Sequence, residues 1–393
     1  MLNTPFSPWP DYDQAEKDAV LRVMDSNRVN YWTGQEGREF EKEFAAYTDA
    51  QYAVAVANGT VALDLAWIAL ALPKGSEVIV TSRSFMASVS TIVLAGLVPV
   101  FADVDRDSQN ISASTIAAKI TEKTSAILCV HLGGWMCDME PILALAKEHN
   151  LKVVEDCAQA HGATYQGKSA GSWGDIAAWS FCQDKIMTTA GEGGMVTTND
   201  KSLWQTVWSF KDHGKSWQAV YEKEHPPGFR WLHESFGTNW RMTEIQAAVG
   251  RLQLKKMPAW RATRAKYAEQ IMQTCRRFAA FRVPAIPENM QHAFYKCYVF
   301  IQPDALIEGT TRDDIIALIN AQEVPCMAGS CSEIYLEKAF DDTGWRPSEP
   351  LSVAQELGAT SIMFMVHPTL TQAEIDKTCT AIESAMSQAM KRN

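Results

Sequence analysis

The chain has 393 residues, 47% of them hydrophobic and 21% charged, with no low-complexity tract. That length exceeds what one core usually supports, so the sequence predicts one large and one smaller globular unit and excludes a disordered or fibrous protein. Thirty-six Lys and Arg against 46 Asp and Glu leave a net charge of −10, which argues against a surface given over to nucleic acid and leaves any anionic ligand to a local site. The nine cysteines form no CxxC pair; their odd number reads as reduced thiols, with no metal site expected. The opening MLNTPFSPWPDYDQ lacks a basic flank followed by an apolar run, and no segment approaches the roughly 20 apolar residues of a membrane span, so a cytoplasmic protein that does not enter a membrane is expected.

In chain order, PFSPWP cannot be regular helix, AEKDAVLRVMDS carries apolar residues at helical spacing, and REFEKEFAAY is a second helical stretch after a turn at YWTGQEG. From Tyr52 short apolar runs alternate with helical ones: YAVAVA, GTVALDLAWIALAL, EVIVT, MASVSTIVLAG, VPVFADV, SAILCVH, MEPILALAKEHN and LKVVEDC. That alternation predicts an α/β protein with a mostly parallel sheet covered by helices. DIAAWSF and GGMVTTN extend the sheet, one of them antiparallel because only a short loop separates them. A long helical stretch from Arg241 follows, expected to break near Pro258, and YKCYVFIQ with DDIIALINAQ predicts a smaller α+β domain. The expected division is 1–250 for the lead-in and large domain and 251–393 for the small one.

Ligands of open α/β sheets sit beyond the carboxyl ends of the strands. At ANGTVALDLA a strand stops at Asn58-Gly59-Thr60 and a helix begins, offering free N–H groups and a hydroxyl to a phosphate; taken alone, the motif is weak and an ordinary helix cap with a glycine turn is the commoner explanation. VVEDCAQAHG delivers Glu155 and Asp156 into a loop with Gln159 and His161, where a buried Asp needs a partner such as a protonated pyridine nitrogen, or simply caps a turn. Lys185 follows Ser180, at the end of AAWSF, by five residues and precedes GEGG. A lone loop lysine is usually solvated, yet among small and apolar neighbours its neutral amine suits attack on a carbonyl. HESFGTNWRM places Asn239 and Arg241 after a long loop rich in aromatic and basic residues, in which His213, His225 and His233 read as ordinary hydrogen-bonding residues.

In this order and spacing, the GT pair, the ED pair with Gln three residues on, SFxxxKxxxxGEGG, HG and NxR resemble the DegT/StrS family of sugar aminotransferases, over the stretch from YWTGQEGREFEKEF to RMTEIQAAVGRLQL. The strand-end segments VHLGGWMCDMEPI and VFADVD are also similar to the family's. The resemblance implies fold type I of the enzymes that use pyridoxal 5′-phosphate (PLP), with a seven-stranded-type sheet between helices and a smaller C-terminal α+β domain. It makes Lys185 the Schiff-base lysine and Asp156 the partner of the pyridine nitrogen. Phe85 becomes the aromatic stacked on the ring and Gln159 the neighbour of the ring hydroxyl. Gly59, Thr60 and Ser180 become phosphate ligands, joined by Asn239 from a neighbouring subunit, which implies a homodimer with shared active sites.

The implied activity is transfer of an amino group, from L-glutamate, to a keto group of a nucleotide-linked sugar, with C4 of a 4-keto-6-deoxyhexose first on family frequency alone. A 3-keto sugar or cyclitol ketone is the alternative acceptor and glutamine the alternative donor. Two other classes stay open: a PLP lyase or desulfurase, which needs a mobile cysteine where Cys182 reads as packing, and a regulatory PLP protein without turnover. The C-terminal third, VPCMAGSCSEIYLEKAF and IMFMVHPTL, departs from the family pattern, so the resemblance does not carry the identity of the sugar.

Overall fold

The computed structural model describes residues 5–391. Two lead-in helices, α1 (Gln14–Asp25) and α2 (Glu36–Tyr47), precede a unit built from strands β1 (Tyr52–Val56), β2 (Glu77–Thr81), β3 (Val98–Ala102), β4 (Thr124–Val130) and β5 (Lys152–Asp156). A small hairpin, β6 (Thr164–Tyr165) and β7 (Lys168–Ser169), leads to β8 (Ile176–Ser180) and β9 (Gly194–Thr198). Helices α3 (Gly59–Leu70), α4 (Ala87–Leu94), α5 (Ala113–Ala117), α6 (Met139–Glu148), α7 (Lys201–Phe210) and α8 (Trp217–Tyr221) connect and follow these strands. The seven long strands form one sheet in the order β1-β9-β8-β5-β4-β2-β3. Only β9 runs antiparallel to its neighbours, because a loop too short for a crossover joins it to β8.

The strands are apolar on both faces, as a sheet covered on both sides requires. One face packs Phe40, Phe44, Val153, Trp179 and Phe181 into one cluster. The other packs Val54, Leu65, Val154, Ala178 and Val196 against α3 and its neighbours. A third core fills the C-terminal unit, where β10 (Phe281–Arg282), β12 (Cys297–Ile301), β13 (Cys326–Met327) and β14 (Ser361–Phe364) form a four-stranded antiparallel sheet. Helices α10 (Arg312–Asn320), α11 (Ser352–Thr360) and α12 (Gln372–Ala389) accompany it, while β11 (Met290–Gln291) pairs back onto β6.

The expected break at Pro258 does not occur. Helix α9 runs unbroken from Glu244 to Arg276 with Pro258 inside it. A proline there deprives the carbonyl four residues earlier of its partner. The burial of Leu254 and Met257 in the large core on one side, and of Tyr267, Ala268 and Ile271 in the small core on the other, holds the helix across that defect.

The pleat of β5 separates two adjacent carboxylates. Val153 and Glu155 face one side of the sheet, Val154 and Asp156 the other. Glu155 is fully buried and accepts from the N–H groups of Gly171 (2.9 Å), Trp173 (2.8 Å) and Gly174 (2.7 Å). It also receives the Nε2 proton of His131 at 2.9 Å, because the His131 Nδ1 is occupied as acceptor from the Cys137 N–H. Burial alone would raise its pKa, but His131 and the amides of Gly174 and Gly171 outweigh it and hold the carboxyl below its ordinary range. Its stabilisation is therefore complete above the unfolded-state pKa of about 4.3 and lost as pH falls through the lower folded value. Glu155→Ala, which strands four buried donors, is expected to cost ~3–5 kcal/mol, read as a shift of the urea midpoint. Glu155→Gln is expected to flatten the acid limb of a stability–pH curve below pH ~4.

Candidate active site

Because side chains alternate along a strand, Ala178 and Ser180 on β8 face the same side as Asp156 on β5. The N-terminus of α3 abuts that face. Asn58 caps the helix, its side-chain oxygen accepting from the Val61 N–H at 2.9 Å. A Cβ on Gly59 would lie 2.6 Å from the Ser180 Cβ, so the glycine is what lets helix and strand end meet. Around this meeting point opens a cavity of about 1080 Å³, bounded also by Tyr295, Lys296 and the 327–331 segment of the C-terminal unit.

Seven of the eight residues singled out in the sequence line this one cavity: Gly59, Thr60, Phe85, Asp156, Gln159, Ser180 and Lys185. Asp156 is buried, with Oδ2 accepting from the Ser88 hydroxyl at 2.8 Å and Oδ1 from the Ala158 N–H at 3.1 Å. A carboxylate has about four acceptor sites, so two remain for a ligand. Gln159 accepts from the Gly133 N–H at 2.7 Å through its amide oxygen, which leaves its NH₂ group as the free end. The Phe85 ring is 70% exposed although it lies in a concave site, a large apolar face without a partner. Asn239 is the exception. It is exposed, and its backbone pairs with Asp212 outside the cavity. Arg241 is engaged by Asp212 at 2.7 Å.

Lys185 is held from two sides. Its carbonyl accepts from the Trp9 indole N–H at 2.8 Å, so the N-terminal segment that resists regular helix pins the lysine loop. Its Nζ lies 5.1 Å from the Tyr295 ring centre and 3.9 Å from an Asp184 oxygen, and the Tyr295 hydroxyl donates to the same carboxylate. Cys182 was expected to be packing, but it lines the cavity, half-buried, with its sulfur 3.9 Å from a Glu192 oxygen. The outer wall is tied to the sheet by the buried Arg83, which donates to the Ser330 carbonyl (3.2 Å), the Ser361 hydroxyl (3.0 Å) and Gln109 (3.0 Å).

A model of the DegT/DnrJ/EryC1/StrS aminotransferase family matches residues 10–383. The chain belongs to this family. It is a PLP-dependent aminotransferase of fold type I. Its sequence is 36% identical to GDP-perosamine synthase of Caulobacter vibrioides over 96% of this chain and 97% of that one. It is 37% identical to the spore coat polysaccharide biosynthesis protein SpsC of Bacillus subtilis over 79% and 78% of the two chains. The crystal structure of an aminotransferase from Psychrobacter cryohalolentis superposes with a TM-score of 0.97 at 58% identity, covering 98% of this chain and 99% of that one.

Several residues at or beside this cavity carried no signal in the strand-end reading. Ser88 sits in the first turn of α4, Trp9 in an irregular segment, and Tyr295 and Lys296 just before β12. A lysine bordering the apolar run CYVFI was the one local hint at the last pair. Gly59→Ala is expected to push α3 away from Ser180 and to weaken PLP binding to this aminotransferase by at least ~10-fold, the loss of about one good hydrogen bond to a charged group. Titration of cofactor-stripped protein with PLP, followed by tryptophan fluorescence, measures it.

Proposed function

We propose that this aminotransferase moves the amino group of L-glutamate onto a keto carbon of a nucleotide-linked sugar, with C4 of a 4-keto-6-deoxyhexose as first choice of acceptor. The similarity to GDP-perosamine synthase supports a sugar nucleotide as acceptor. The observation that carries the reading is the convergence in one cavity of a lysine amine, a buried carboxylate with open acceptor sites, an unpartnered aromatic face and a helix N-terminus that a single Cβ would block.

These residues fit PLP. The N–H groups at Gly59 and Thr60, with the Thr60 and Ser180 hydroxyls, would hold its phosphate at the positive end of α3. Asp156 would keep a proton on the pyridine nitrogen, its side chain oriented by the Ser88 hydroxyl and the Ala158 amide. Phe85 would cover one ring face, and the free amide end of Gln159 would meet the ring hydroxyl. When bound, the cofactor supplies an electron sink for charge developing at the donor carbon. Lys185 would hold it covalently, and its free amine would take the proton leaving the donor α-carbon and return one at the end of the transfer. Asp184 and Tyr295 keep that amine over the cavity.

Asn239 belongs to the phosphate site of a second copy. The loop between α8 and α9 exposes Phe229, Trp231 and Phe236, the last at 98%, and such apolar surface calls for a cover. The two structural units divide within α9, beyond the expected residue 250, since the helix packs in the large core through Met257 and in the small core from Tyr267.

Incubation of the purified protein with L-glutamate and a panel of nucleotide keto sugars is expected to release 2-oxoglutarate with one of them; absence of transfer to every keto sugar in the panel overturns the acceptor. Lys185→Ala is expected to lower turnover by at least ~10²–10⁴-fold. It should also abolish the adduct that borohydride reduction leaves on this residue, detected by peptide mass spectrometry. Asp156→Ala should keep the reducible adduct while losing most of the turnover.

A further inference from the structure

The wall of the cavity facing Lys185 carries more positive charge than the chain neutralises. Lys296 is 8% exposed and lines the cavity, yet among the described residues its Nζ has no carboxylate partner and hydrogen-bonds only the Met365 sulfur, at 3.3 Å. Thioether sulfur is a weak acceptor and leaves the ammonium largely unsatisfied. Behind it lies Arg264, fully buried on α9, whose Nη1 donates to the carbonyls of Phe294 and Tyr295 at 3.3 Å while Nε and Nη2 find no partner among the described residues. The Trp9 indole covers this guanidinium at 5.1 Å. The acid that acts on Lys296 is Asp184, already shared between Tyr295 and Lys185. Burial, with help from Arg264 and Lys185, brings the Lys296 pKa down to about 8, and Arg264 is lowered by burial to about 9. Unpaired buried charge of this kind is costly and persists where a ligand supplies the counter-charge.

The ligand's chemistry follows from position. Lys185 and Lys296 lie 5.1 and 4.8 Å from the centre of the same Tyr295 ring. An α-amino acid that places its nitrogen at the Lys185 reaction centre carries its carboxylate on the next carbon, within reach of that shared ring. We propose that Lys296 is the anchor for the carboxylate of the amino-acid donor, with Arg264 behind it adding positive potential, and that this ion pair sets donor affinity. The proposal rests on the aminotransferase reading, but not on which amino acid is the donor, since every α-amino acid has this carboxylate.

The test compares wild type, Lys296→Met, Lys296→Gln and Lys296→Arg, each loaded with PLP and each checked by thermal melting. Calorimetry measures binding of 2-oxoglutarate and, in a separate arm, of inorganic phosphate. Steady-state assays vary L-glutamate or L-glutamine against a fixed keto sugar, and the reverse. For the Met and Gln variants the proposal expects a rise of ~10-fold or more in the 2-oxoglutarate Kd and in the donor KM, the size of one lost charge-assisted hydrogen bond. It expects the keto-sugar KM to hold within about twofold and the Arg variant to recover part of the loss. Unchanged donor KM, or a loss confined to the keto-sugar KM or to phosphate binding, overturns it. Should the Met and Gln variants fail to fold, the Arg variant and wild-type calorimetry decide: no 2-oxoglutarate binding by wild type that is active with an amino-acid donor also overturns it. A wild type that moves no amino group from any donor instead defeats the functional reading, a result separable from these.

Discussion

Two carboxylates sit side by side at the end of β5, and the pleat sends them to opposite faces of the sheet. Glu155 turns into the dry side, where His131 and the 171–174 turn hold it. Asp156 turns toward the cavity with acceptor sites to spare. The rigid positioning of the second depends on the saturation of the first, because a strand end whose buried carboxylate lacked partners could not hold its register. The same alternation on β8 brings Ser180 to the cavity and sends Trp179 and Phe181 into the core. One geometric rule thus sorts chemistry from packing at two adjacent strands.

Contact between α3 and β8 adds the second constraint. A helix N-terminus attracts anions only if its N–H groups are reachable, and here Gly59, lacking a Cβ, lets Ser180 pack directly against the start of α3 while both line the cavity. The C-terminal unit closes the space from outside. Arg83 secures its 328–331 segment through carbonyl and hydroxyl partners, while Tyr295 and Lys296 bring in aromatic and cationic groups. The floor of the cavity therefore offers a carboxylate with open acceptor sites, and its outer wall a cationic group with incomplete hydrogen bonding. That asymmetry suits a site in which the cofactor stays and the substrates exchange.

Much of this was legible in the sequence, for physical reasons that differ between elements. The long strands announced themselves because both faces are buried, so VIV and YAVAV runs have no polar interruption. Antiparallel β9 was legible from loop length, and the residues at strand ends from the contrast between an apolar run and a charged terminus. Pro258 misled because local backbone propensity was overridden by two cores gripping α9 on either side. Cys182 misled because position after a strand does not fix which way a loop residue turns. Trp9 and Ser88 were invisible, and Tyr295 and Lys296 hinted at only by a lysine beside an apolar run, for a different reason: their roles arise from contacts between segments far apart in the chain, which local patterns do not encode.

The grip on the lysine loop comes from residues that are distant from it in the order of synthesis. Trp9 meets Lys185 in the middle of the chain, stacks on His367, and is flanked by Ser7 bonded to Glu374 and by the Pro8 carbonyl, which accepts from Thr369 at 2.7 Å. A nascent chain on the ribosome can complete its large sheet long before residues 367–374 emerge. Until they do, the indole lacks the stacking partner and hydrogen-bond neighbours that seat it. Seating of the lysine loop is thus completed only once the C-terminal unit has docked, since Trp9 stacks on His367 and Ser7 needs Glu374 of α12.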